Sequence, residues 1–152
     1  PPGPALIVSG DVFTAFDYAS LRPRADAMAQ DPAPARAHLV MVANPPYHPG
    51  GDFALVDGQV TLDPAPRRTF ASIGLYDTGP WRELPRGVKL KLLPYLQRWI
   101  AEGRVSGEAF DGPWANVGTP EDLAQLDNAL RQGIPVGSAP RLPGGTPRDL
   151  LP

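Results

Sequence analysis

Proline punctuates this chain. Of its 21 prolines, 15 gather in the stretches "PPGP", "DPAPAR", "NPPYHPGG", "DPAPRR" and the closing "PVGSAPRLPGGTPRDLLP". Proline lacks the N–H that a helix interior or a central strand needs, so every regular element must fit between these clusters. With 16 glycines added, proline and glycine stop just short of the roughly 25–30% at which a low-complexity chain becomes the expectation. The 42% hydrophobic content is enough for one domain with a core of its own. The stretch from about Pro135 onward has no apolar period and reads as an irregular tail, which leaves residues 1–134 as the domain.

The segments between the prolines alternate in period. "LIVSGDVF" starts with the unbroken apolar run Leu6-Ile7-Val8, which suits a central parallel strand covered on both faces. A short helix is expected over 17–22 or 17–30, depending on whether Pro23 divides it. "AHLVMVAN" (37–44) is a second buried strand, and "DFALVDGQVTLD" folds back on itself at Asp57-Gly58 as a hairpin. "RTFASIGLYD" (68–77) is a further strand. A helix follows over 89–101 with Leu92, Leu96 and Trp99 or Ile100 on its apolar face and Gly103 as its stop. "RVSGEAFDGPWANV" reads as a strand pair, or a strand and a turn. Thr119 and Pro120 then open a last helix, with Glu121 and Asp122 at its positive end and Leu123, Leu126 and Leu130 along one face. Strands alternating with helices, plus one hairpin, make an α/β sandwich of mixed sheet.

Composition excludes several function classes. The net charge is −2 and the basic residues are scattered, so no stripe offers itself to a nucleic-acid duplex. Without cysteine there are no disulfides, thiol nucleophiles or Cys-based zinc sites. No apolar run approaches the roughly 20 residues of a membrane helix and no signal peptide opens the chain, so the cytoplasm is the default location.

Two places stand out for chemistry. Asp11 closes the opening strand, and open α/β sheets place ligands at the carboxyl ends of their strands. Asn116 emerges between the strand at "WANV" and the last helix. Both are hard oxygen donors of the kind magnesium takes beside waters and phosphate oxygens. Each also has a plain structural alternative, Asp11 as a turn cap and Asn116 as a side chain bonded to its own turn. His38 precedes a strand and His48 lies in a Pro-rich loop, without ligand spacing between them, so neither is given a role. Trp81, Trp99 and Trp114 read as packing residues.

In order and spacing, "LIVSGDVFTAFDYASL", "AHLVMVANPPYHPGGDFAL", "RTFASIGLYD" and "VKLKLLPYLQRWIAEGRVSGEAFDGPWANVGTPEDLAQLD" resemble the latter part of bacterial sugar-1-phosphate nucleotidyltransferases. They are most similar to the N-acetylmuramate-1-phosphate uridylyltransferases of cell-wall recycling. The paired "GD...T.FD" and "W.NVGTPE.L" blocks carry most of the likeness, which covers roughly residues 5–132. It implies a Rossmann-like three-layer sandwich with a mixed sheet. The implied reaction is Mg²⁺-dependent transfer of a nucleotidyl group, here uridylyl, from a nucleoside triphosphate to a sugar 1-phosphate, here N-acetylmuramate 1-phosphate, with release of pyrophosphate. Asp11 would be the catalytic metal ligand. Asn116 would be the second, where the muramate enzymes usually carry Asp and the N-acetylglucosamine enzymes Asn. The sugar side would be bordered by Gly51 and Asp52 in "NPPYHPGGDF", with Ser72, Lys89 and Glu108 as further binding positions. Gly51 and Asp52 read equally as a plain turn, and Lys89 as a solvated residue at the start of a helix.

One departure is large. The family opens with a strand and a Gly-rich "LAAGxGxR" loop that holds the triphosphate, and this chain has no such motif in the strand-loop-helix context it requires. It also begins without Met on what looks like an interior strand. The expectation is a carboxyl-terminal portion that is catalytically incomplete alone, with the Gly-rich half supplied upstream or by a companion chain. The alternative is a non-catalytic module of the same descent that binds a sugar phosphate or a protein.

Overall fold

The computed structural model describes residues 3–31, 35–64, 66–85, 87 and 89–136. Its elements are β1 (Pro4–Val8), β2 (Val12–Thr14), a 3-10 turn (Tyr18–Leu21), α1 (Arg22–Gln30), β3 (Ala37–Val42), β4 (Phe53–Val56), β5 (Gln59–Thr61), β6 (Arg67–Asp77), a second 3-10 turn (Pro80–Glu83), α2 (Leu92–Ala101), β7 (Val105–Ala109), β8 (Trp114–Asn116) and α3 (Pro120–Arg131). Six strands form a mixed sheet in the order β1-β6-β3-β7-β5-β4, and β2 pairs with β8 as a separate ribbon. The tail expected from Pro135 lies almost wholly outside the described residues. Among those that are described, no helix is long and apolar enough to cross a membrane.

The centre of the sheet is β3, buried along its whole length between β6 and β7. Its side chains alternate between two cores. Ala37, Leu39 and Met41 join Phe53, Phe70, Tyr76 and the α2 residues Leu96, Trp99 and Ile100. Val40 and Val42 join Ala71, Ile73 and Leu75 under Leu21, Met28 and Trp114. Strand direction decides where the loops gather. β1 and β3 both run antiparallel to β6, and β7 runs parallel to β3. The carboxyl ends of β1, β3 and β7 therefore lie at one end of the sheet.

Several expectations meet the structure closely. Asp57 and Gly58 form the hairpin turn between β4 and β5 with φ of 49° and 77°, the left-handed pair that matches the twist of the flanking strands. α2 buries Leu96, Trp99 and Ile100, and Thr119 caps α3 by accepting a hydrogen bond from the Asp122 N–H at 3.1 Å. Pro23 does not divide the first helix. It stands in the first turn of α1, where its missing N–H has no partner to lose.

Three expectations are corrected. β1 is not a central parallel strand: it is the sheet's edge, antiparallel to β6, with Leu6, Ile7 and Val8 all exposed. A continuous apolar run reports that a strand is made to be covered, and carries no information on whether its neighbour is present. α2 begins at Leu92, so Lys89 lies exposed in the segment before the helix and not at its start. In α3, Leu123 and Leu130 are exposed at 57% and 48%, and the buried residue is Ala129. The helix is readable from its caps, whereas the face it buries is not.

Candidate metal and phosphate site

Asp11 and Asn116 come together through the β2-β8 ribbon. Val12 stands opposite Asn116, Thr14 opposite Trp114, and the Asp11 carbonyl accepts a hydrogen bond from the Val117 N–H at 2.7 Å. The two candidate ligands, Asp11 in the turn just before β2 and Asn116 as the last residue of β8, thus stand beside each other, although they come from opposite ends of the domain. The ribbon is fixed to the main sheet from both sides. The Ser9 N–H donates to the Ser72 carbonyl at 3.0 Å, and the buried Trp114 Nε1–H donates to the Ala71 carbonyl at 3.0 Å.

The anchor point is a bulge. β3 pairs Leu39 with Gly74 and then Met41 with Phe70, so three residues of β6 face one of β3. Ser72, at its middle, takes φ of 58°, a left-handed conformation that a serine adopts only where its surroundings hold it. Such bulges re-aim side chains beside functional sites. Here it sets Ser72 next to the strand end that carries Asp11.

Neither candidate plays the plain structural part that its sequence context allows. Among the described residues, Asp11 caps no helix and its carboxylate takes no hydrogen bond; it is exposed. The turn cap is Asp17, whose carboxylate accepts from the Ala19 N–H at 2.9 Å. Nor does the Asn116 amide bond its own turn within the described residues. By contrast Asp52 has both oxygens engaged: one accepts from the Phe70 N–H at 2.7 Å and the other lies 3.1 Å from His48 Nε2. Uncommitted oxygen donors at the carboxyl end of a sheet are what a cation or a hydrogen-bonding substrate requires.

The loop 43–52 after β3 is organised by Asn44, a residue that the sequence alone does not single out. Its amide donates to the carbonyls of Pro49 and Arg67 at 3.0 and 2.9 Å and accepts from the Thr69 hydroxyl at 3.0 Å. Gly51 sits against it with φ of 61°; a Cβ there would come within 2.7 Å of Asn44 Oδ1. The close approach that this glycine permits is therefore made by Asn44. The dipeptide Asn44-Pro45 at a strand end is the available signal, since Asn bonds local backbone and the following proline ends the ladder.

Two connected depressions lie between this loop, the β7-β8 turn and α3. One of about 240 Å³ is lined by Asn44, Phe110, Asp111 and Trp114. A smaller one of about 90 Å³ is lined by Tyr47, Trp114, Asn116, Asp122 and Gln125. Trp114 is thus both core and wall. Arg68 pairs with Asp111 at 3.0 Å at the rim.

Glu108 has a partner in the sheet: its carboxylate lies 3.2 Å from His38 Nε2, while His38 Nδ1 lies 2.8 Å from the Ser106 hydroxyl. An ionised Glu108 can only accept, so Nε2 carries the proton and the serine hydroxyl donates to Nδ1. His38 is 2% exposed and inside β3, not before it. Burial pushes its pKa below the usual histidine value; the hydrogen bond with Glu108 works the other way, and Arg24 adds to the lowering.

Among the described residues no group of three or more His, Cys, Asp or Glu could hold a metal on its own. Asp11 and Asn116 fit a different kind of site. Magnesium uses one or two protein oxygens and completes its octahedron with waters and substrate phosphates.

No family model matches the chain. Over 119 residues it is 35% identical to the N-acetylmuramate alpha-1-phosphate uridylyltransferase of Neisseria meningitidis serogroup B, a match that takes in 76% of this chain and 50% of that protein. The chain therefore spans about half the length of the curated relative it matches. In fold it resembles a protein assigned as a glucose-1-phosphate thymidylyltransferase from Bacillus anthracis, whose crystal structure was determined with a sucrose. That superposition has a TM-score of 0.62 at 18% identity, over 88% of this chain and 56% of the other. By sequence the chain is a homologue of about half of an N-acetylmuramate alpha-1-phosphate uridylyltransferase, and by fold it resembles the protein assigned as a thymidylyltransferase.

Proposed function

We propose that this chain supplies the metal and sugar-phosphate side of a Mg²⁺-dependent nucleotidyltransferase that joins a uridylyl group to N-acetylmuramate 1-phosphate. The observation that carries the reading is the β2-β8 pairing, which brings Asp11, in the turn just before β2, beside Asn116, the last residue of β8, with neither side chain committed elsewhere among the described residues. The similarity to a uridylyltransferase supports the choice of base and sugar.

In the reaction an oxygen of the sugar phosphate forms a bond to the α-phosphorus of the triphosphate, and the bond to the departing pyrophosphate breaks. Two polyanions must meet, so the main barrier is charge repulsion and misalignment. A bound Mg²⁺ would neutralise phosphate charge. Asp11 and Asn116 would hold it through one carboxylate and one amide oxygen, leaving more positive charge uncompensated than two carboxylates would. Ser72 stands next to the strand end carrying Asp11, and its hydroxyl is proposed to hydrogen-bond substrate there. Gly51 and Asp52, in the Asn44-braced loop, are proposed to border the sugar. Lys89 and Glu108 complete the sugar side, Lys89 as an exposed cation. The triphosphate's own cradle is proposed to come from a Gly-rich loop of the family kind, for which residues 1–152 hold no match.

Mn²⁺ in place of Mg²⁺ provides the test. With N-acetylmuramate 1-phosphate present, paramagnetic broadening is expected at the amides of Asp11, Val12, Asn116 and Val117, and is expected to vanish in Asp11→Ala. Broadening centred on Asp111 or Asp122 instead would overturn the assignment. With the complementary half of the Neisseria meningitidis relative supplied, Asp11→Ala should lower uridylyl transfer on the order of a hundredfold or more.

A further inference from the structure

The two depressions carry the wrong charge for the substrate proposed for them. N-acetylmuramate 1-phosphate is an acid twice over, with a phosphate at one end and a carboxylate on an ether arm of the sugar. Among the described residues, the charged side chains that line the depressions are Asp111 and Asp122, both acidic. A cation held by Asp11 and Asn116 answers the phosphate and leaves the carboxylate without a partner. A carboxylate drawn out of water needs one.

Arg68 is within reach. Its Nη1 lies 3.0 Å from Asp111 Oδ1, and the two side chains are 34% and 75% exposed. Arg68 stands at the start of β6 and Asp111 just after β7, the strands that flank β3. β3 pairs Val42 with Thr69 on one side and Met41 with Ala109 on the other, so the ion pair crosses the carboxyl end of β3. There it adjoins the floor that Val42, Ala43 and Asn44 give to the larger depression. An ion pair between such exposed side chains contributes little to stability and is readily exchanged. The guanidinium offers five N–H donors in a planar fork that matches a carboxylate, and the contact with Asp111 engages one.

We infer that Arg68 receives the carboxylate of the acidic sugar, and that Asp111 is an internal stand-in for that carboxylate, exchanged for it on binding. The inference rests on the proposed substrate. Trp114 and Asn116, two residues apart on β8, belong to one face of the ribbon; Asn116 lines the smaller depression and Trp114 walls both. A sugar with its phosphate at Asn116 extends across Trp114 towards Asp111 and Arg68. Asp111 is already largely hydrated, so its release to water is nearly free, and Arg68 trades one carboxylate for another. A sugar 1-phosphate that lacks the carboxylate leaves the pair in place and gains nothing from Arg68.

Amide NMR titration of the chain with N-acetylmuramate 1-phosphate and with N-acetylglucosamine 1-phosphate, each in the presence of Mg²⁺, tests the exchange. Arg68→Gln is expected to weaken binding of the muramate about tenfold or more and to leave the glucosamine unchanged. Asp111→Asn, which removes the competitor, is expected to tighten the muramate severalfold; an ion pair with a merely structural part would lose affinity in both variants. Equal weakening of the two sugars by Arg68→Gln would make Arg68 a phosphate contact and overturn the inference. So would weaker muramate binding in Asp111→Asn, or no saturable shift with the muramate at all. Mn²⁺ broadening away from Asp11 and Asn116, with the Arg68 discrimination retained, would sink the metal reading alone.

Discussion

His38 shows how a single buried side chain sets a condition on the whole fold. In the folded chain its pKa lies below the ordinary value of about 6.5, chiefly because burial disfavours the imidazolium, with Arg24 adding to the effect and Glu108 partly opposing it. The unfolded chain therefore takes up a proton at a higher pH than the folded one. Stability is fully present above about pH 6.5 and declines as pH falls towards the depressed value. The urea midpoint is expected to be lower at pH 5 than at pH 7.5, and His38→Gln should flatten that difference. A midpoint that rises on acidification, or an unchanged slope in the variant, would refute the assignment. The role of His38 is not legible in the sequence, because spacing along the chain cannot show that Ser106 and Glu108 stand beside it on a parallel neighbour. Asp11 and Asn116 are placed for the converse reason: each stands at an element boundary, Asp11 just before β2 and not at the end of β1 as expected, Asn116 closing β8, and such boundaries can be located from local chemistry. That they share one ribbon is a property of register, which only the fold supplies.

Among the elements, α3 illustrates how far local signals reach. Thr119 accepts from the Asp122 N–H, Pro120 occupies the first turn and Gly133 follows with φ of 67°. Thr119→Ala is expected to destabilise the chain by about 1 kcal/mol, readable in chemical denaturation, because an orphan N–H at the helix start loses its acceptor. A value near zero would mean that the helix end is already satisfied by water. The hairpin at Asp57-Gly58 and the apolar face of α2 are equally plain, since a left-handed turn pair and a 3.6-residue period are both encoded within a few positions. The place of β1 is not. Its composition describes the surroundings it suits, and the strand order that leaves it at the edge depends on pairings with residues 73–77.

The molecule as a whole has two cores of unequal dependence on the helices. Leu96 is completely buried against β-sheet residues, so Leu96→Ala should cost roughly 2–5 kcal/mol by leaving a cavity. Leu123→Ala, at 57% exposure, should change stability by no more than about 0.5 kcal/mol. Thermal melts of the two variants distinguish a helix packed into the core from one that lies over the surface; equal losses would contradict the burial of α2. The left-handed turn at Ser72 has a further effect at this scale. Its carbonyl receives the Ser9 N–H, just ahead of Asp11, and the carbonyl of the residue preceding it receives the Trp114 indole. Both arms of the proposed metal grip thus hang from one kink in a single strand, so neither arm can swing without dragging its counterpart, and heat that straightens the kink would be expected to release the two together.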